Sequence, residues 1–149
     1  MFKLLKQTKT MTILDFLKDL YTPLFTAQYV NDKWIIGYNH DINVFNGLCC
    51  TQEQADLFLE QRIRTIEHFI RYNIHVPLSD SKKKALISLI HDIGIEEFSK
   101  SNMINLINKK DWIAASNSFL FFNKNNRVVS AKIARRRMIE KNLFDFIEK

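Results

Sequence analysis

The sequence predicts an α+β domain dominated by helix, and three observations carry that reading. Apolar residues recur at helical spacing along most of the chain. Two short β-prone pieces stand near the start with Asn31-Asp32 between them. Helix breakers are scarce, with 3 Gly and 2 Pro among 149 residues. A hydrophobic content of 46% excludes a disordered polymer and predicts one domain, residues 1–149, whose lobes share a sizeable core.

The elements follow in order. Ile13, Phe16, Leu17 and Leu20 fall at i, i+3, i+4 and i+7, the stripe of a first helix over residues 12–21. Pro23 stops it, because proline pushes the residue before it out of helical backbone. Leu24 to Val30 and Lys33 to Tyr38 read as the strands of a hairpin, since Asn and Asp tolerate the left-handed backbone of a tight turn. Thr51 with Gln54 three residues on is a capping box. It opens a long helix through Ala55, Phe58, Leu59, Ile63, Ile66 and Ile70, ending near Tyr72-Asn73. Ser79-Asp80 caps a helix that Gly94 closes, and helical stretches over residues 101–109, 111–122 and 130–147 complete the chain. The expected layout is a small lobe with the hairpin over residues 12–50, a connecting helix over 51–73 and a helical lobe over 79–149. Trp34, Ile36, Leu86, Ile90, Trp112 and Phe119 are the expected core.

No apolar run approaches the roughly 20 residues of a bilayer span. The N-terminus, Met1 to Lys9, is basic but lacks the apolar stretch and small-residue cleavage site of a signal peptide. A soluble protein of the host cytoplasm or the virion is expected, reaching a cell wall only if another component exports it. The formal net charge of +6 favours anionic surroundings without identifying them. Lys82-Lys83-Lys84, and Lys132 with Arg135-Arg136-Arg137, lack interleaved aromatics and read as solvated helix faces rather than a nucleic-acid site. Cys49-Cys50 are adjacent, which suits neither a mutual bridge nor a metal template, and they read as inert thiols. No metal or other cofactor is expected.

The segment Trp34-Ile35-Ile36-Gly37-Tyr38-Asn39-His40 resembles the hairpin of the phage-type lysozymes, which commonly reads W-T-I-G-Y-G-H; five of seven positions agree. The resemblance extends along the chain. Phe16 to Thr22 is similar to the family's first helix, which ends in a K-x-F-E-G type segment. Thr51 to Ala55 is similar to its T-x-x-x-A helix start. Ala85 to Gly94 is similar to its A-L-x-S-F-x-x-N-x-G helix, and Arg136 to Glu140 to its terminal R-R-x-x-E. Order and spacing over about 130 residues multiply the weight of matches that are each weak alone.

The resemblance implies the lysozyme fold and cleavage of peptidoglycan glycan. In that chemistry a glutamic acid at the end of the first helix protonates the leaving oxygen, an aspartate in the hairpin turn supports the oxocarbenium-like transition state, and a threonine on the second strand positions water. Carried over by position, the glutamate falls on Tyr21, the threonine on Ile35, and the aspartate in the turn from Val30 to Asp32, with Asp32 its candidate. A phenol with an ordinary pKa near ~10 is a poor acid beside a carboxyl tuned to ~6, and an isoleucine holds no water. Asp19 lies on the opposite helix face from Tyr21, and Asp15 almost two turns back, so neither substitutes.

The same resemblance places His40 as a structural histidine, Arg136, Arg137 and Glu140 as structural charges, and His91 and Asp92 where a polar residue faces the cleft. Asn39 replaces a glycine and is the side chain best suited to keep that left-handed position, so it joins His91 and Asp92 as a cleft candidate. The main expectation is a lysozyme-fold protein of phage or prophage origin without hydrolytic activity, kept to bind peptidoglycan-type glycan or as a structural part of a virion or cell wall. Two rivals stand beside it: an active bacteriolytic lysozyme with displaced catalytic groups, and a basic protein binding nucleic acid or wall polymer.

Overall fold

The computed structural model describes residues 11–125 and 128–147. The basic stretch from Met1 to Lys9 lies outside the described residues. Helix α1, Ile13–Leu20, starts where Thr12 Oγ1 accepts the amide of Asp15 at 3.1 Å. It stops because Tyr21 is extended, with φ −123° and ψ 141°, two residues before Pro23. Strands β1, Leu24–Val30, and β2, Lys33–Gly37, pair antiparallel with Tyr29 opposite Trp34 and Gln28 opposite Ile35. The register slips between Leu24 and Gln28. Asn31 and Asp32 both take positive φ, 53° and 65°, the two-residue turn whose twist matches that of the strands.

The other edge of β1 is closed by main-chain bonds from Ala27 to Leu48 and from Cys50 to Phe25. Helix α2, Gln52–Asn73, opens with the predicted capping box. Thr51 accepts the Gln54 amide at 3.1 Å, while the Gln54 side chain takes the Thr51 amide at 2.9 Å.

Helices α3, Asp80–Ile93, α4, Ile95–Lys100, α5, Met103–Asn108, α6, Trp112–Ser118, and α7, Ala131–Phe144, make up the rest. Ser79 caps α3 by accepting the Lys82 amide at 3.2 Å. Three expectations change. Residues 111–122 form α6 plus a tighter turn at Phe119–Phe121, and α7 stops at Phe144 rather than Ile147. The small strands β3, Lys124–Asn125, and β4, Val128–Val129, together with α4, had no periodic signal of their own because each is too short to show one.

The chain divides into two compact units, residues 12–65 and the residues from Ile66 onward, and α2 runs across the division. In the first, Phe16, Leu17, Ile36, Ala55 and Leu59 are buried. In the second, α3 packs on α7 and buries Leu86, Ile90, Phe119 and Phe144. Trp34 and Trp112 depart from the expected core, for both are only half-buried. Their rings lie against Tyr29 at 5.4 Å and Phe144 at 6.1 Å, and keep a wet edge as large amphipathic rings commonly do.

Candidate functional site in the hairpin unit

Two motif fragments 18 residues apart interlock here. Gly37, with φ 62°, lies so near α2 that a Cβ on it would stand 3.3 Å from the Cβ of Ala55. Glycine at the end of the hairpin motif and alanine at the start of the helix are therefore one requirement seen twice. Asn39 follows with φ 62°, the left-handed position anticipated for it. The loop closes as Ile36 and His40 exchange main-chain bonds of 2.9 Å in both directions.

Below this loop His40 stacks on Phe58, with ring centroids 4.2 Å apart and planes 6° from parallel. Burial lowers its pKa against the opposing pull of a backbone bond to Ile42 and the charge of Asp41. Asp41 is held by Lys33 at 2.9 Å and Arg62 at 3.5 Å. Its burial raises the carboxyl's pKa, yet the two cations outweigh that and hold it below its ordinary value. This cluster ties β2 and the following loop to α2. Reading by position did not reveal it, because its charges come from three separate segments.

Within this frame Tyr21 is the residue that ends α1 and is half-buried, while Ile35 is half-buried on β2. Asp32 is exposed at the turn, where its positive φ serves the hairpin. The other carboxylates of the unit are committed or turned outward. Asp56 takes Lys18 at 3.1 Å and Gln52 at 2.8 Å, and Gln52 also reaches the Tyr38 hydroxyl at 3.0 Å. Asp15 and Asp19 are exposed on α1. Cys49 and Cys50 are free thiols, Cys49 lying 3.7 Å from the Thr26 hydroxyl.

The remaining candidates belong to the helical unit. Asp92, Arg136, Arg137 and Glu140 do meet. Asp92 Oδ2 accepts Arg137 at 2.7 Å and Arg136 at 3.1 Å, Arg137 Nε stands 2.6 Å from Glu140 Oε1, and the Ser88 hydroxyl donates to Glu140 Oε2 at 2.5 Å. Burial lifts the Glu140 carboxyl to about 7, against the lowering pull of Arg137 and Ser88. The basic run is therefore only partly a solvated face: Lys132 and Arg135 are exposed, but Arg137 is fully buried and Arg136 nearly so, because α7 turns these two toward Asp92 of α3 and its own Glu140. His91 is fully buried and presents no surface to a ligand, and Asp92 holds both arginines through Oδ2. Ser88 was the missed member, four residues before Asp92 and so on the same helix face.

Residues 23–140 match the phage lysozyme family. The chain belongs to that family. Among its relatives, the endolysin of Acyrthosiphon pisum secondary endosymbiont phage 1 is 32% identical over 117 residues, covering 76% of this chain and 80% of the relative. The endolysin of Salmonella phage P22 is 31% identical over 102 residues, covering 68% and 69%. The muramidase domain of SpmX from Asticaccaulis excentricus superposes with a TM-score of 0.80 at 28% identity over 91% of this chain and 95% of that one. The lysozyme-like fold is thus shared, and the interlocked hairpin motif lies inside the matched region. No described helix is long and apolar enough to cross a membrane.

Proposed function

We propose that this family member binds peptidoglycan-type glycan without hydrolysing it, in a phage or prophage setting. One observation carries the reading: the end of α1 offers the phenol of Tyr21, and β2 offers the hydrocarbon of Ile35, where family chemistry needs an acid and a water-holding hydroxyl. General acid catalysis contributes ~10²–10⁴-fold, and it needs a group that gives up its proton near the working pH. The unit's half-buried Asp41 and Asp56 are engaged by cations, so neither is free to take over. The scaffold persists nonetheless, with Gly37, Asn39 and the His40 stack in place. Relatives described as endolysins and as a muramidase domain support peptidoglycan as the polymer bound.

The test is a pair of measurements on purified peptidoglycan. Cosedimentation should retain the protein on sacculi, and release of reducing sugar should not exceed the buffer control. Turnover abolished by Asp32→Asn would instead establish the rival reading of an active lysozyme with displaced groups, which the surviving turn aspartate favours. Affinity for DNA falling steeply with salt, in place of sacculus binding, would establish the nucleic-acid reading. Restoring both groups through Tyr21→Glu with Ile35→Thr should yield weak turnover, since a misplacement of ~1 Å costs ~100-fold in rate. Each single variant should remain inactive, because acid and water positioning act as one unit.

A further inference from the structure

The helical unit carries a cavity of about 530 Å³ that the hairpin chemistry does not use. Ser79 and Lys82 at the start of α3, Trp112 and Ile113 at the start of α6, and Asp145 and Ile147 beyond α7 line it. Its size falls in the range of small-ligand sites. Ile113 and Ile147 stand at its rim 79% and 80% exposed, an apolar surface that folding has left in water.

Its polar centre is the ammonium of Lys82. This group lies 4.6 Å over the ring of Phe144 and 5.1 Å over that of Trp112, and it donates to the Phe144 carbonyl at 2.7 Å. An ammonium has three N–H groups, and that carbonyl is its one hydrogen-bond acceptor among the described residues. Burial pushes its pKa down while Asp145 opposes the shift, so the charge sits in a partly desolvated place where an incoming anion gains most. The Asp145 carboxylate, shared with Lys141 at 2.9 Å, supplies an acceptor at the margin.

We propose that this pocket binds a carboxylate carried on a body with an apolar face, the chemistry shared by the lactyl group of an N-acetylmuramic acid and the C-terminus of a wall peptide. The carboxylate takes the remaining donors of Lys82, the apolar face lies on Trp112, methyl groups cover Ile113 and Ile147, and a hydroxyl or amide donates to Asp145. The choice of peptidoglycan fragments rests on the function proposed above; the need for an anion with an apolar body rests on the pocket.

A protein carrying Trp34→Phe leaves Trp112 as the sole fluorescent indole, because the chain has two tryptophans. Its emission should change saturably with N-acetylmuramic acid or with acetyl-D-alanyl-D-alanine, and whichever binds tighter identifies the source of the carboxylate. Neutral N-acetylglucosamine should bind at least about tenfold more weakly, the loss of one charge-assisted hydrogen bond. Lys82→Met, which keeps the stem and removes the charge, should abolish that preference. Ile113→Asp should weaken both acidic ligands, and its position in solvent leaves folding intact. Equal affinity for the neutral sugar, binding unchanged by Lys82→Met and Ile113→Asp, or no response to either acid would overturn the proposal. Sacculus binding that survives both variants while the fragments fail to bind would sink the pocket alone; fragments bound without sacculus binding would sink the function proposed above instead.

Discussion

Replacing Gly37 by alanine probes the contact on which the hairpin unit is built. Two costs add. Left-handed backbone at φ 62° costs a residue with a Cβ about 1–2 kcal/mol. The new methyl would also stand 3.3 Å from Ala55 Cβ and 3.4 Å from Ala55 Cα, inside the ~3.5–4.0 Å at which carbons pack comfortably. Ala55 is fully buried on α2, so relief means moving helix backbone, an overpacking cost of about 1–3 kcal/mol. The sum centres on ~3.5 kcal/mol, and at ~2–4 °C per kcal/mol in a protein of this size Tm should fall by about 10 °C.

Gly47→Ala separates the two costs, because Gly47 has φ 88° but nothing within 4 Å of an added Cβ. It should lose only the backbone share. Differential scanning calorimetry of both variants and of Gly37→Ala combined with Ala55→Gly reads the steric share directly, once the ~1 kcal/mol cost of a helical glycine is subtracted. Equal losses in the two alanine variants would refute the interlock and leave Gly37 as a turn residue only.

Leu86→Ala should cost ~2–5 kcal/mol in urea denaturation, since its side chain is wholly buried between α3 and its neighbours; a loss within ~0.5 kcal/mol would remove it from the core. Glu140 binds its proton more tightly folded than unfolded, with a carboxyl lifted by burial to about 7 from an ordinary 4.5. Its contribution is therefore full below about pH 4.5 and lost as pH rises through about 7. Stability should decline from about pH 5 to about pH 8, and Glu140→Gln should flatten that slope; parallel curves for the two proteins would contradict it. Asp41 has the opposite sign, because Lys33 and Arg62 outweigh its burial and lower its folded pKa. Its contribution is present above pH 3.8 and lost as pH falls through the lower folded value. Lys33→Met should move the acid-unfolding midpoint to higher pH, read by circular dichroism.

The helices α1, α2 and α3 and the β1/β2 hairpin were legible because each is long enough to show its period or carries its own cap or turn: the Ile13, Phe16, Leu17 and Leu20 stripe, Thr51 with Gln54, Ser79, and Asn31-Asp32. The short α4 and the β3/β4 pair were not, since two to six residues hold too little pattern. At the hairpin, the reading that Tyr21 and Ile35 stand where the family resemblance puts an acid and a hydroxyl concerns residue identity at a position, and it rests on sequence alone. The fate of the charged residues was different. Asp92 looked like a cleft group, and Arg136 and Arg137, structural by resemblance, stood in a run that charge alone read as solvated; the three meet Glu140 in an ion cluster, because charge says nothing about direction until two helices choose their facing sides.

Local chemistry thus determined the longer elements and the family from sequence by itself. Tertiary structure decided what short-range pattern cannot reach: that Gly37 must be bare because Ala55 approaches it, that His91 is core, and that Lys82 sits in a pocket with donors to spare. Each of these depends on segments between 18 and 62 residues apart, or on the packing of whole helices, and no window along the chain contains both partners.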